Sequence, residues 1–383
     1  MPDDRGPLRG LKVVELAGIG PGPFAAMLLA DLGADVVRVD RVGPGSPLSV
    51  DPRFDLLTRG KRSIAVDLKQ DSGRELVLAL AERADAVVEG YRPGVAERLG
   101  VGPDAALARN PRLVYARMTG WGQDGPLAAS AGHDITYLAV TGALHAIGRA
   151  GGPPQVPVNL LGDFASGSLY LVVGLLAALR EAARTGHGQV VDAAITDGAA
   201  HLTTLLYGLS AAGQWRDERG VNLIDTGAPF YDVYPAADGR HLAVGALEPQ
   251  FYAEFIRLLA PGDDLPAQYD RARWPELRAR IAAAFATRTQ QEWARIFEGT
   301  EACVAPVLSL AEAAAHPHLA SRGTFERPGG VVQPAAAPRF SATPPGPVGT
   351  PALPGAHTRE ILADWDLGDA DGWLDGGAVR AAP

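Results

Sequence analysis

Two side chains in this sequence, His133 and Asp163, are of the types that move protons, and each lies in its own glycine-containing turn. His133 stands in Ala131-Gly-His-Asp-Ile-Thr-Tyr137, and Asp163 stands in Asn159-Leu-Leu-Gly-Asp-Phe-Ala-Ser166. An imidazole and a carboxyl group can act as base and acid on opposite sides of one carbon atom, provided that burial raises the carboxyl pKa enough for it to hold a proton at neutral pH. The pair therefore predicts proton-transfer chemistry.

Both residues also have ordinary structural explanations. An aspartate just before a helix is commonly an N-cap, which contributes about 1 kcal/mol to stability, and the apolar run over 164–183 predicts a helix directly after Asp163. The unpaired N–H groups at the start of that helix would offer donors to a developing oxyanion. His133 followed by Asp134 is compatible with a surface turn. The residues alone leave the structural and the catalytic interpretations open.

The elements that would position these residues alternate between strand and helix. Apolar runs predict strands, and amphipathic segments predict helices between them. The strands are predicted at 11–16, 35–40, 63–68, 86–89, 113–118 and 189–194, and the helices at 24–32, 72–84, 164–183 and 198–212. Alternation of this kind predicts a parallel sheet in a doubly wound, Rossmann-like α/β domain.

The second half of the chain has a different character. Residues 230–234 and 240–245 are apolar runs separated by a turn that contains Asp-Gly, which predicts a β-hairpin, and helical segments follow it. A chain of 383 residues exceeds the usual size of a single core. We therefore predict a large domain over 1–213, a linker over 214–229, a small α+β domain over 230–325, and a proline-rich strap with a terminal helix over 326–383 that returns to the large domain.

The composition excludes several classes of function. A net charge of −9 argues against general binding to nucleic acid or to an anionic membrane surface. The single cysteine, Cys303, excludes an intrachain disulfide and a cysteine-only zinc site, and we expect it to be a small buried residue. The longest apolar run, over 169–179, is shorter than the roughly 20 residues that span a bilayer. With no signal-peptide pattern at 1–6, we expect a cytoplasmic protein without membrane insertion.

The turn Gly18-Ile-Gly-Pro-Gly-Pro23 follows the first strand, and Asp40 ends the second, which is close to a dinucleotide-binding pattern. The pattern requires a third glycine where Pro23 stands, and Pro21 and Pro23 each remove an N–H group that would hold phosphate. A packing turn is therefore the favoured interpretation of this segment.

Basic residues cluster near the ends of the first strands. They are Arg38, Arg59, Lys61, Arg62, Lys69, Arg92 and Arg98. Such a cluster is compatible with a pocket for a ligand that carries several phosphates, and equally with a solvated rim.

Several motifs carry a resemblance to a known family. The segments over 13–27, 32–38, 60–69, 89–94 and 120–123 resemble the family III CoA transferase superfamily over nearly the whole chain. Within that superfamily, Gly132-His-Asp-Ile-Thr-Tyr137, Leu144-His-Ala-Ile-Gly148, Asn159-Leu-Leu-Gly-Asp163 and Gly245-Ala-Leu-Glu-Pro-Gln-Phe-Tyr252 resemble its α-methylacyl-CoA racemases.

The resemblance implies inversion at C2 of a 2-methylacyl-CoA thioester through α-proton abstraction and reprotonation, without a metal or redox cofactor, since CoA is part of the substrate. It places His133 and Asp163 at the catalytic positions, with Glu248 as the carboxylate that supports the histidine. It also implies an interlocked homodimer with shared active sites. The implied CoA-binding residues are Arg38, Val66, Asp67, Leu68, Lys69, Gly90, Tyr91, Arg92, Arg98, Gly132, Asp134 and Tyr137.

Two other functions remain open. In a family III acyl-CoA:carboxylate CoA transferase, Asp163 would attack the thioester and form a covalent intermediate. That mechanism needs no base at position 133, so the pair of His133 and Glu248 favours proton transfer. A non-catalytic CoA sensor would keep the basic residues and have no use for His133 and Asp163.

Overall fold

The computed structural model describes residues 5–43, 50–260, 262 and 264–382. Its strands are β1 (Lys12–Leu16), β2 (Asp35–Arg41), β3 (Arg62–Val66), β4 (Ala86–Glu89), β5 (Val114–Thr119), β6 (Gln189–Ala194), β7 (Tyr231–Pro235), β8 (His241–Gly245), β9 (Val304–Pro306), β10 (Phe325–Glu326), β11 (Gln333–Pro334) and β12 (Val379–Arg380). Its α-helices are α1 (Pro21–Asp31), α2 (Asp71–Arg83), α3 (Val95–Arg98), α4 (Pro103–Arg109), α5 (Asp134–Ala139), α6 (Ala143–Ala146), α7 (Leu169–Thr185), α8 (Ile195–Leu202), α9 (Thr204–Ala211), α10 (Pro249–Leu259), α11 (Trp274–Phe285), α12 (Gln290–Phe297), α13 (Leu310–Ala313), α14 (Pro317–Ser321), α15 (Thr358–Asp364) and α16 (Ala370–Asp375). A π-helix, Leu160–Ser168, precedes α7.

The first compact unit comprises residues 1–141, 158–202 and 317–383 and contains a seven-stranded sheet in the order β12-β3-β2-β1-β4-β5-β6. The six strands β1 to β6 are parallel, and β12 pairs with β3 in the antiparallel direction. The chain moves outward from β1 in one direction and from β4 in the other. This order confirms the predicted doubly wound α/β fold.

Helices cover both faces of this sheet, because alternate residues of each buried strand point to opposite sides. Val14 is buried against α2 and α15, with Leu76 and Ile361 in the same core. Its neighbour Val13 is buried on the other face, in a core that includes Leu29 of α1. The sheet is therefore a rigid base whose strand ends can present side chains.

The second compact unit comprises residues 142–157 and 203–316. Strands β7, β8 and β9 form an antiparallel sheet, in which β7 and β8 are the predicted hairpin. Its core contains Phe255 of α10, Phe285 of α11 and Trp293 of α12, all nearly or fully buried.

The division of the chain differs from the predicted domain boundaries. Residues 203–213 belong to the second unit, as do the residues predicted as a linker over 214–229 and the separate segment 142–157. The return to the first unit begins at residue 317 and not at 326. The sequence signals of composition and turn residues mark where elements end, but they do not show against which core an element packs.

The π-helix and α7 form one continuous stretch over Leu160–Thr185 that is long and apolar enough to cross a membrane by length and composition. The expectation that the apolar run is too short was wrong, because the π-helical segment extends it. One face of α7 packs in the core through Leu171, Leu175 and Ala178, whereas Val173 on another face is 67% exposed.

Candidate active site

A cavity of about 400 Å³ lies at the ends of the parallel strands in the first unit. Its walls come from the segments that follow β1, β4 and β5, together with residues of the loop before α5 and of the π-helix. Because β1 and β4 are neighbours from which the chain runs in opposite directions, this is the position where doubly wound sheets bind ligands. Both His133 and Asp163 line the cavity.

Asp163 is the fourth residue of the π-helix and does not precede a helix as predicted. Asn159 occupies the N-cap position of this segment, and the Phe164 N–H donates to the carbonyl oxygen of Asn159 at 3.4 Å, a bond between residues five apart. The N-cap interpretation of Asp163 was therefore wrong. A π-helical turn has one more residue than an α-helical turn and commonly occurs at functional sites.

The carboxylate of Asp134 fixes the backbone at Asp163. Its Oδ2 accepts the N–H of Asp163 at 2.6 Å, and the N–H of Gly162 also donates to this carboxylate. A Cβ atom at Gly162 would lie 2.2 Å from Asp134 Oδ2, so only glycine fits there. The expectation that the amides at the start of this helix are free to bind an oxyanion was wrong, because Asp134 occupies those of Gly162 and Asp163.

The electrostatic surroundings of Asp163 favour its protonated form. Burial raises the pKa of the Asp163 carboxyl above its ordinary value, and the neighbouring charge of Asp134 raises it further. A hydrogen bond from Asn159 and the proximity of His133 act in the opposite direction without reversing the shift. The direction of this shift is the one that a carboxyl group acting as an acid needs.

His133 occupies the N-cap position of α5 in an extended backbone conformation, and its residue surface is exposed. The hydroxyl oxygen of Thr136 accepts the N–H of His133 at 3.0 Å, which fixes the entry into the helix. No ion pair of the imidazole is recorded within the described part of the chain. The backbone of His133 therefore sets the position of its imidazole ring at the cavity wall.

The turn over residues 18–23 forms the wall next to Asp163. Gly20 has a φ of 70°, and a Cβ atom there would lie 3.3 Å from Asp163 Oδ2. Phe24 stacks on Phe164 with a centroid distance of 4.3 Å. The packing interpretation of this turn is therefore supported by its contacts, and glycine at position 20 leaves space for the carboxyl group.

The structure separates the clustered cations into two groups. Arg38, Arg59, Lys61 and Arg62 form ion pairs with Asp40, Asp31, Glu15 and Asp35, respectively. Lys69, Arg92 and Arg98 are exposed, and no ion pair is recorded for them among the residues described. The second group is free to bind a phosphate.

Five of the predicted CoA-binding residues line the cavity together with His133 and Asp163. They are Gly90, Tyr91, Arg92, Gly132 and Tyr137. Arg38, Val66, Asp67, Leu68, Lys69, Arg98 and Asp134 lie outside its lining. The Tyr137 ring packs so closely that a Cβ atom at Gly120 would lie 2.0 Å from it.

The sequence reasoning missed Glu89, which shapes the loop after β4. Glu89 is fully buried, accepts the Tyr91 N–H at 2.6 Å, and is paired with Arg117 at 2.8 Å. Burial raises its pKa, and these two partners oppose that shift. The sequence feature that could have indicated Glu89 is a carboxylate at the end of an otherwise apolar strand.

Glu248 lies in the second unit, at the N-cap position of α10, where its side chain makes no capping hydrogen bond and its surface is exposed. Cys303, in the same unit, is exposed and has a φ of 52°, so the expectation of a buried cysteine was wrong.

Residues 8–358 match CoA-transferase family III. The chain is 46% identical to the alpha-methylacyl-CoA racemase of Mus musculus over 362 residues, which cover 94% of this chain and 93% of the mouse protein. It is also 46% identical to the alpha-methylacyl-CoA racemase of Homo sapiens over 373 residues, covering 94% and 93% of the two chains. A CAIB/BAIF family protein from Brucella suis, 29% identical, has a similar fold with a TM-score of 0.79 over 94% of this chain and 100% of that chain. The chain therefore belongs to CoA-transferase family III.

Proposed function

We propose that this protein is an alpha-methylacyl-CoA racemase that inverts C2 of 2-methylacyl-CoA thioesters. The observation that carries the proposal is that one cavity is lined by His133, Asp163 and the Gly90–Arg92 segment, in a chain 46% identical to racemases over nearly its whole length. In this proposal His133 and Asp163 are the base and the acid, and Arg92 is a cation in the wall of the same cavity.

In one direction, neutral His133 removes the α proton and protonated Asp163 returns a proton to the opposite face of C2. In the other direction the roles exchange, with ionised Asp163 as the base and protonated His133 as the acid. Atoms balance within each turnover, because one proton leaves the carbon and one arrives. The raised pKa of Asp163, caused mainly by burial, supports its role as the acid.

The enolate oxygen needs a positioned donor, since the α proton of a thioester is weakly acidic. We assign this role to the backbone N–H of Asp134, which does not line the cavity itself but directly follows His133, which does. It opens α5, and no acceptor for it is recorded within the described ranges. The amides of Gly162 and Asp163 are already used by the Asp134 side chain.

The unpaired cations support binding of the CoA phosphates. Arg92 lines the cavity, and Lys69 and Arg98 follow β3 and β4 at the carboxyl edge of the sheet. A phosphate there gains charge-assisted hydrogen bonds without breaking an existing ion pair. Arg38 is a weaker candidate, because its guanidinium is buried and paired with Asp40.

We further propose a homodimer in which Glu248 of a second subunit orients His133. Glu248 is exposed and has no recorded ion pair in the residues that the structure describes. The exposed apolar side chains of the first unit, Leu169 and Val173 on α7, support burial against another chain. Analytical ultracentrifugation tests the dimer, and mixing His133→Ala with Glu248→Ala chains tests the sharing, because a shared site gives mixed dimers with partly restored activity.

The alternative is a CoA transferase in which Asp163 is the nucleophile. A nucleophilic carboxylate must be ionised, whereas burial and the charge of Asp134 make ionisation of Asp163 less favourable. The surroundings of Asp163 therefore support the acid more than the nucleophile.

Incubation of the protein with (2R)- or (2S)-2-methylacyl-CoA in heavy water distinguishes the two functions. A racemase replaces the α hydrogen by deuterium and produces both epimers from either one. Retention of the α hydrogen in both epimers contradicts the proposal. Asp163→Ala and His133→Ala are expected to abolish most exchange while CoA affinity stays nearly unchanged, whereas full turnover of His133→Ala indicates transferase chemistry.

A further inference from the structure

Two serines without exposed surface, Ser166 and Ser168, lie on the π-helix that carries Asp163. The Ser166 hydroxyl donates to the carbonyl oxygen of Leu161 at 2.6 Å, and the Ser168 hydroxyl lies 3.0 Å from the carbonyl oxygen of Asp163. In both pairs the acceptor is five residues before the serine, which is the spacing of π-helical hydrogen bonds. The two hydroxyl groups reinforce the same wide turn.

Ser168 makes one contact that Ser166 does not make. Its Oγ also lies 2.7 Å from the carbonyl oxygen of Pro21, at the start of α1. Pro21 and Gly20 both line the cavity, and Gly20 is the residue that faces Asp163 Oδ2. One buried hydroxyl group is therefore within hydrogen-bonding distance of the Asp163 backbone and of the turn that packs against the Asp163 carboxyl.

The two segments approach each other closely at this point. A Cβ atom at Gly167 would lie 3.2 Å from Pro21 Cβ and 3.1 Å from Ile195 Cγ1, so the contact depends on glycine at that position. From the other side, Lys61 Nζ donates to the carbonyl oxygen of Pro23 at 2.9 Å. Two buried donors thus hold two carbonyl groups of the first turn of α1.

We propose that Ser168 is a positioning residue for the proton transfer, because its hydroxyl group shares its one proton between the carbonyl oxygens of Pro21 and Asp163. It thereby holds the Asp163 backbone next to the Pro21 turn and keeps the carboxyl group where it exchanges a proton with C2. This inference rests on the proposed racemase function. Ser168 does not touch the substrate, since it has no exposed surface and does not line the cavity.

The test compares Ser168→Ala with Ser166→Ala. Both substitutions remove a hydroxyl group without exposed surface that lies within hydrogen-bonding distance of the carbonyl oxygen five residues earlier, so they are matched in burial and in their place on the π-helix. Only the first removes the bond to Pro21. We expect Ser168→Ala to lower kcat for α-deuterium exchange about tenfold with KM changed less than about twofold, the size of effect that one hydrogen bond has on a barrier. Ser166→Ala should keep kcat within about twofold of the wild type.

The pH dependence of kcat/KM gives a second readout that a general loss of stability would not change. When Asp163 is less firmly held against the turn, water reaches its carboxyl group more easily, and its pKa falls toward the ordinary value. The limb of the profile that reports Asp163 therefore moves to lower pH in Ser168→Ala and stays in place in Ser166→Ala. Ser168→Cys, which keeps the side-chain volume and a weak donor, should lie between the wild type and Ser168→Ala, and it replaces Ser168→Ala should that variant not fold.

Equal losses of kcat in Ser168→Ala and Ser166→Ala, or a loss that appears in KM alone, overturn the inference. An unchanged kcat and pH profile in Ser168→Ala and Ser168→Cys also overturns it. These outcomes are distinct from failure of the proposed function, in which the wild-type protein itself incorporates no deuterium at C2.

Discussion

Replacing Asp134 by asparagine removes a charge from the site while keeping the shape of the side chain. Oδ2 of Asp134 accepts the N–H of Asp163 at 2.6 Å, and Oδ1 is buried without a recorded hydrogen-bond partner in the described residues. The amide oxygen can take the place of Oδ2, and the NH₂ group can take the place of the unpaired oxygen. We therefore expect Asp134→Asn to change the free energy of unfolding by less than about 1 kcal/mol.

Asp134→Ala, in contrast to Asp134→Asn, removes the hydrogen-bond acceptor. It leaves the N–H groups of Gly162 and Asp163 without their acceptor, in a place where Asp134 itself is only 8% exposed. An unsatisfied buried donor costs about 1–3 kcal/mol, so the loss for two donors is about 2–6 kcal/mol. Urea unfolding of both variants measures the difference.

The catalytic effect of Asp134→Asn follows from the charge. Burial is the main cause of the raised pKa of Asp163, and the Asp134 charge is the second, so the substitution lowers this pKa. The limb of the bell-shaped kcat/KM profile that reports Asp163 then moves to lower pH, and the maximum falls because protonated Asp163 is less populated. Since the ratio of kcat/KM for the two epimers equals the equilibrium constant, both epimers must lose the same factor.

The assay is deuterium exchange from each epimer between about pH 5 and pH 9. The reasoning is refuted if the limb that reports Asp163 stays in place or moves to higher pH in Asp134→Asn. A loss of stability as large as that of Asp134→Ala also refutes it. Either result means that the effect of Asp134 on the site does not come from its charge and its hydrogen bonds to the N–H groups of Gly162 and Asp163.

Two further predictions concern buried charges. Lys61→Met leaves Glu15, whose side chain is 1% exposed, as an unpaired buried carboxylate, so we expect the free energy of unfolding in urea to fall by about 3–5 kcal/mol. Combining Lys61→Met with Glu15→Gln should recover part of this loss, and a loss below about 1 kcal/mol in Lys61→Met contradicts the prediction. The pKa of Asp163 is raised above its ordinary value of 3.8, so the stability that this group contributes is fully present below that pH and is lost as the pH rises through the folded-state pKa. Asp163→Asn should therefore raise Tm relative to the wild type at pH 8 and gain less at pH 5, and a gain that grows toward low pH would count against the raised pKa.

The sheet could be predicted from the sequence because buried parallel strands are nearly continuous apolar runs. The prediction for β6 has the observed bounds, 189–194, and those for β2 and β5 differ by one residue at one or both ends. The strand β12 has two residues and is defined only by its partner β3, so no local pattern could indicate it.

For the candidate site, the sequence indicated two of the residues that line the cavity but not the geometry that brings them together. His133 and Asp163 could be singled out by their chemistry, and the structure places both at one cavity. The π-helix could not be foreseen, because glycine and serine at 162–168 suit several backbone conformations, and the contacts that support this one include the distant residue Asp134. In the same way, Arg59, Lys61 and Arg62 are ion-paired with carboxylates distant in sequence, which a charge pattern cannot show. Arg38 pairs with Asp40, two residues further along β2.

The pairing of β12 with β3 also bears on how the protein is made. During synthesis β3 leaves the ribosome about 300 residues before β12, which at about 5–20 residues per second is an interval of roughly 15 to 60 s. Throughout that time the outer edge of the nascent sheet has unpaired N–H and C=O groups, which can pair with another nascent chain. This edge is covered only when Val379 pairs with Val66. The last strand therefore completes the sheet and also blocks its pairing with another nascent chain.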